Sequence, residues 1–228
     1  RAALGVIRLI VENGLRVRLL DLIRKASKPY RKKLTEQLSD GNRTVIRESY
    51  NQQYDNELID FIIDRLKIKM REIDLGHDVI EAVFHAITQK SDDLVDIIQR
   101  AKSLQEFLVT EDGVNFLAGF RRAINIIKIE EKKDNMAYST IYVNENMLQS
   151  EYEYELHKTL RNIQSEASSL ISNEEYINGM AYLSTLRKNI DAFFDHVTVN
   201  AEDPALRQNR LALLARIRAA ADTVADFS

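Results

Sequence analysis

The chain has 228 residues with a formal net charge of −3, 45% hydrophobic residues, and only 7 glycines and 2 prolines. That composition supports a packed core and argues against disorder and against a turn-rich sheet protein, while the absence of cysteine excludes disulfides, thiolate metal sites and cysteine nucleophiles. The charge is uneven: Arg1 to Glu48 carries twelve Lys/Arg against five Asp/Glu, and the remainder twenty against thirty, so any polyanion contact has to come from local patches rather than a whole-chain field.

Apolar residues recur at steps of three and four almost throughout, which predicts an all-α architecture. Ala2 to Asn13 reads as a helix with Leu4, Ile7, Leu9 or Ile10 and Val11 inward, closed by Gly14. A second helix begins near Val17 and is expected to break at Pro29, before the basic KPYRKK segment. The polar run from Ser39 to Asn56 reads as a loop and the domain boundary.

Glu57 to Ile73 is predicted helical with Leu58, Phe61, Ile62, Leu66 and Ile73 facing in, ended by Gly76, and Val79 to Ile87 forms a short helix. The next helix starts at Ser91, with Asp92 and Asp93 favourably placed in its first turn and Leu94, Ile97, Ile98, Leu104 and Leu108 inward. Gly113 is expected to separate it from Val114 to Lys132. After a loop around DNMAYST, Ser150 to Ile171 and Asn173 to Arg187 form a helical pair with Asn173 as a cap, and Asp203-Pro204 opens the last helix with proline where its missing amide costs nothing.

Two clusters carry chemistry. On the helix around FLAGFRRAINIIKIEEKK, Phe116, Phe120, Ile124 and Ile127 share one face, and Arg121, Arg122, Asn125 and Lys128 lie together on another. Guanidinium groups bind phosphates or stack on bases and an amide reads a base edge, so this stripe suits RNA; its bland alternative is an ordinary solvated face. In the last helix, Arg210 projects about 40 degrees from the inward direction, so it is expected to pair with Asp191 or Asp195 of the preceding helix, leaving Arg207 and Arg218 for RNA. His77-Asp78 lacks the further ligands of a metal-dependent phosphohydrolase, and the four histidines include no His-x-x-x-His pair, so neither metal ligands nor catalytic residues are expected.

These motifs resemble a family. Leu186-Arg187, the Asp-Ala-Phe-Phe-Asp run Asp191 to Asp195, the acidic Glu202-Asp203 and the Arg-x-Asn-Arg-Leu-x-Leu-Leu run Arg207 to Leu214 are similar to the C-terminal end of the beta subunit of bacterial, two-chain-type glycyl-tRNA synthetase. Arg121-Arg122 with Asn125 to Lys128, Asp64-Arg65-Leu66, and Asp78 with Ile80, Ala82 and Val83 resemble the same family, and Arg1 to Leu15 resembles the helix that ends its upstream body. Residues 28–56 and 130–147 look like inserts particular to this chain.

The resemblance implies a helical bundle of the anticodon-binding (DALR-like) type over residues 57–228, preceded over 1–56 by helices of the upstream body and a polar linker. It implies recognition of tRNA(Gly), whose anticodon ends in two cytosines, and assembly with the alpha subunit in an α2β2 enzyme. ATP and Mg would act on that alpha subunit, with no cofactor and no catalytic site in this fragment. Arg1 in place of an initiator methionine suggests a piece of a longer chain, and the lack of a signal peptide or long apolar run suggests a cytoplasmic protein without a membrane span. The rival expectation is a non-catalytic helical scaffold for protein–protein or subunit assembly.

Overall fold

The computed structural model describes residues 1–36, 43–87 and 92–226, without the side chains of 30–52. The described residues are helical, with no strand beyond one isolated antiparallel bridge between Arg18 and Asp93. They divide into two compact units, Arg1–Ile80 with Ile87–Ala101, and Glu81–Ala86 with Lys102–Ser228.

In the first unit, α1 (Ala2–Glu12) and α2 (Leu19–Glu36) pack on α3 (Arg43–Glu72). Ile7 and Ile10 are the buried residues of α1; of the pair Leu9 or Ile10 it is Ile10 that turns inward, and Leu4, expected inward, is exposed. Pro29 does not break α2; it sits exposed inside the helix, where the carbonyl it leaves without a donor can be hydrated. Most of the expected 39–56 loop is helix: residues 43–56 hold neither proline nor glycine, and Arg43, Arg47, Glu48, Gln52 and Gln53 favour helix despite the polar, Asn-containing run. Positions 39–42 and Ser91 lie outside the described residues. In the second half of α3 the inward row is Ile62, Leu66 and Met70, at four-residue steps, and Leu58, Phe61 and Ile73 are exposed.

Asp92 and Asp93, expected in the first turn of the helix, stand just before it. Asp92 accepts from the Leu20 amide at 2.6 Å and pairs with Arg18, while Asp93 caps α5 (Leu94–Leu108) by accepting from the amides of Val95 and Asp96 and also binds Arg16 at 2.7 Å. These two carboxylates tie the start of α5 to the segment before α2.

Helix ends follow one pattern that glycine reveals only once. Gly14, Asp74, Asn135 and Glu174 all have positive φ, and in each case the next amide reaches back five residues, Leu15 to Ile10, Leu75 to Met70, Met136 to Glu131 and Glu175 to Leu170. Thus α3 stops at Asp74 before Gly76 is reached, and α4 (His77–Ile87) follows.

The second unit is built around α10 (Pro204–Ala221), which packs on α6 (Glu111–Asp134) and α7 (Glu151–Ser172); α8 (Tyr176–Ser184) and α9 (Leu186–His196) pack on α6 and α7 in turn. The final helix is not amphipathic with one inward line: Leu206, Leu211, Leu213, Leu214 and Ile217 are all buried, the mark of a helix enclosed by others. Asp203 caps it, and Pro204 stands at its first position. Asn173 ends α7 instead of opening the next helix, and the expected Asn173–Arg187 helix is split at Thr185. Gly113 is not a separator; it lies in the first turn of α6, donating to the Thr110 cap at 3.0 Å.

Candidate nucleic-acid interface

α6 carries the basic stripe on its outer face. Phe116, Phe120, Ala123, Ile124 and Ile127 are buried beneath it, and this row fixes which side Arg121, Arg122, Asn125 and Lys128 present to solvent. All four are exposed. Arg122 lies over the Phe194 ring of α9, 4.2 Å from its centroid, which steadies the guanidinium plane. Among the described residues no protein partner engages Arg121, Asn125 or Lys128 through a side-chain hydrogen bond or ion pair.

The arginines of α10 are placed differently. Arg207 Nη2 donates to Glu130 and, at 2.7 Å, to Asp134; its Nε reaches Asn200 at 3.1 Å and its Nη1 the Tyr138 hydroxyl at 3.3 Å. Tyr138 itself donates to Asp134, and Asn200 donates to Glu130. Arg218 forms a two-pronged pair with Glu131, at 3.1 and 3.0 Å. Both guanidiniums therefore spend their charge on the end of α6, a partnership 73 to 87 residues apart in sequence that no local spacing discloses.

Arg210 corrects an expectation. It does not pair with Asp191 or Asp195 but donates from Nε to Glu153 at 2.7 Å and from Nη1 to the Thr198 carbonyl at 2.8 Å. The reason is local competition: Asp191 is already held by Arg187 one helical turn away, and Asp195 stays exposed at the end of α9. Glu153 is the third residue of a capping box, Ser150-x-x-Glu153, whose carboxylate also accepts from the amides of Gln149 at 2.9 Å and Ser150 at 2.8 Å. The box is legible in the sequence and is the signal that could have led to Arg210's partner.

Asn209, between the two, is also buried and exchanges both bonds with the backbone of Asn144, accepting from its amide at 2.7 Å and donating to its carbonyl at 3.1 Å. The Arg-x-Asn-Arg run thus clamps α6, the 135–150 connector and α7 onto the central helix.

Burial alone would raise the Glu153 carboxyl, yet the Arg210 guanidinium and the two amides hold it below the ordinary carboxylate range. Burial likewise opposes ionisation of Glu130, and Arg207 and Asn200 overcome it; Asp134 is lowered by the Tyr138 hydroxyl and then Arg207. Groups depressed in the folded state stabilise it fully above their unfolded values, here 4.5 and 3.8, and lose that contribution as pH falls through the folded ones. Asp222 works the other way: burial and the nearby Asp226 carboxylate push it up to about 6, so the folded state gains stability as pH falls through that value. Denaturant midpoints are therefore expected to rise from pH 7 to about 5 and to fall below about 4.5; a midpoint that does not fall between about pH 4.5 and 3 would contradict the clamp's electrostatics.

Among the described residues, no group of three or more His, Asp or Glu could hold a metal ion, and no helix is long and apolar enough to cross a membrane. Residues 117–224 match the DALR anticodon binding domain, and residues 1–85 match the glycyl-tRNA synthetase beta subunit family. The glycine–tRNA ligase beta subunit of Rhodospirillum centenum (strain ATCC 51521 / SW) is 42% identical over all 228 residues, and that of Ruegeria sp. (strain TM1040) is 36% identical over the same span. The chain spans 29% of the length of each of these relatives. With both family matches and the full-length similarity pointing the same way, the chain belongs to the glycyl-tRNA synthetase beta subunit family, with a DALR-type helical domain in its C-terminal half.

Proposed function

We propose that this chain recognises the anticodon region of tRNA(Gly) as part of a cytoplasmic glycyl-tRNA synthetase. In this reading glycine activation and transfer, with ATP and Mg, take place on an alpha subunit joined to it in an α2β2 assembly. The first unit then closes the upstream body, and the second, which holds the matched residues 117–224, supplies the RNA reader. The observation that carries the proposal is the exposed stripe of Arg121, Arg122, Asn125 and Lys128 within the matched DALR region, cationic and without internal anions. Arg207 and Arg218 leave the set of RNA ligands, because Glu130, Asp134 and Glu131 already occupy them.

The test is a salt titration of tRNA(Gly) binding by the complete enzyme. Displacement of about four single-strand counterions gives a log–log slope near −3, and Arg121→Ala with Arg122→Ala is expected to lower affinity about tenfold and flatten the slope by about 1.4. Unchanged affinity in the double variant would remove the stripe from the interface. Binding without preference for glycine tRNA would favour a subunit-assembly scaffold instead.

A further inference from the structure

We propose that a hollow between α7, α10 and the connector that follows α6 receives one unstacked base of an RNA loop and selects cytosine there. This deepens the tRNA reading and rests on it. The hollow has a volume of about 220 Å³ and is lined by Tyr142, Glu145, His157, Arg161, Gln164 and Arg216, over Leu160 and Val143. That is below the roughly 300 Å³ at which pockets for drug-sized ligands begin, and suits a single heterocycle.

The wall is a stacking platform. Tyr142 is 85% exposed, so its ring buries almost nothing in the fold, and the Arg216 guanidinium lies 5.7 Å from its centroid. An open aromatic face beside a cation is the pairing that holds a splayed-out base and its phosphate.

The polar lining gives the choice of base. His157, Leu160, Arg161 and Gln164 follow at helical steps on one face of α7, which places three polar heads beside one apolar floor residue. Glu145 Oε1 is held by Arg161 at 2.8 Å and His157 at 3.1 Å, while among the described residues its Oε2 has no partner. The hydrogen bond from His157, with the charge of Arg161, keeps this carboxyl below its ordinary range and hence ionised. Cytosine offers an amino donor beside two acceptors, so its edge complements a carboxylate next to guanidinium and amide donors; uracil would set a carbonyl oxygen against the carboxylate.

The experiment uses the complete enzyme and compares tRNA(Gly) with a tRNA in which one or the other anticodon cytosine is uracil. Tyr142→Ala is expected to weaken tRNA(Gly) binding about tenfold and Tyr142→Phe to leave it unchanged. Glu145→Gln is expected to shrink the cytosine-over-uracil preference about tenfold. If both variants keep wild-type affinity and preference while Arg121→Ala with Arg122→Ala weakens binding, the pocket assignment is overturned and the tRNA reading survives. If the unmodified enzyme fails to distinguish tRNA(Gly) from other tRNAs, both are overturned.

Discussion

Replacing Arg210 with alanine is expected to destabilise the C-terminal unit by about 3–5 kcal/mol, the range found when one member of a buried ion pair is removed and the other is left behind. The side chain of Glu153 is 0% exposed and that of Arg210 11%, so water cannot take the guanidinium's place without opening the packing. The loss also reaches the Thr198 carbonyl, which gives up its donor. Denaturant unfolding should show a lower midpoint at an unchanged slope. The partner experiment is Arg210→Met with Glu153→Leu, which removes both charges and should recover most of the loss. About 1 kcal/mol stays missing because the amides of Gln149 and Ser150 lose their cap. A shift under about 1 kcal/mol in the single variant would mean that the pair is solvated in solution.

Gly113→Ala is expected to destabilise the same unit by about 3 kcal/mol, although glycine to alanine inside an ordinary helix gains about 1 kcal/mol. The sign reverses because a Cβ there would stand 2.1 Å from the Phe107 carbonyl oxygen and 2.9 Å from its carbon, and both belong to backbone. That oxygen already accepts from the Thr110 amide at 3.0 Å and hydroxyl at 2.7 Å, so moving it dismantles the turn between α5 and α6 and the cap that begins α6. Thermal unfolding should come roughly 6–12 °C earlier; a variant as stable as the parent would show that the turn can relax without cost.

Helices were legible because three- and four-residue apolar spacing and the scarcity of glycine and proline act locally and agree with one another. The structure departs from the sequence pattern where a weak local sign is outweighed by its neighbours. Pro29 predicts a break, yet on an exposed face one missing donor does not end a helix. The polar run from Ser39 to Asn56 predicts a loop, yet Arg43, Arg47, Glu48, Gln52 and Gln53 are good helix formers and residues 43–56 are helix. Asp74 and Glu174 adopt the left-handed conformation that glycine advertises and acids do not, so the sequence places these helix ends at Ile73 and Ile171, within one residue of where α3 and α7 stop, without showing which residue turns the chain.

The stripe on α6 could be read because exposure follows directly from the burial of Phe116, Phe120 and Ile127 on the same helix. The roles of Arg207, Arg210 and Arg218 could not, since an ion pair's partner is set by how helices cross. The Arg-x-Asn-Arg run, one of those on which the family resemblance rests, is in this chain an internal fastening, so it speaks for architecture before it speaks for any ligand.

Asn209 holds the Asn144 peptide group from both sides, much as a neighbouring strand would, and does so from the most enclosed helix of the unit. The arc that bears Tyr142 and Glu145 is consequently anchored before anything arrives. An incoming base would find its seat already ordered, and the association would be spared the conformational entropy that a loose loop surrenders on closing around its guest.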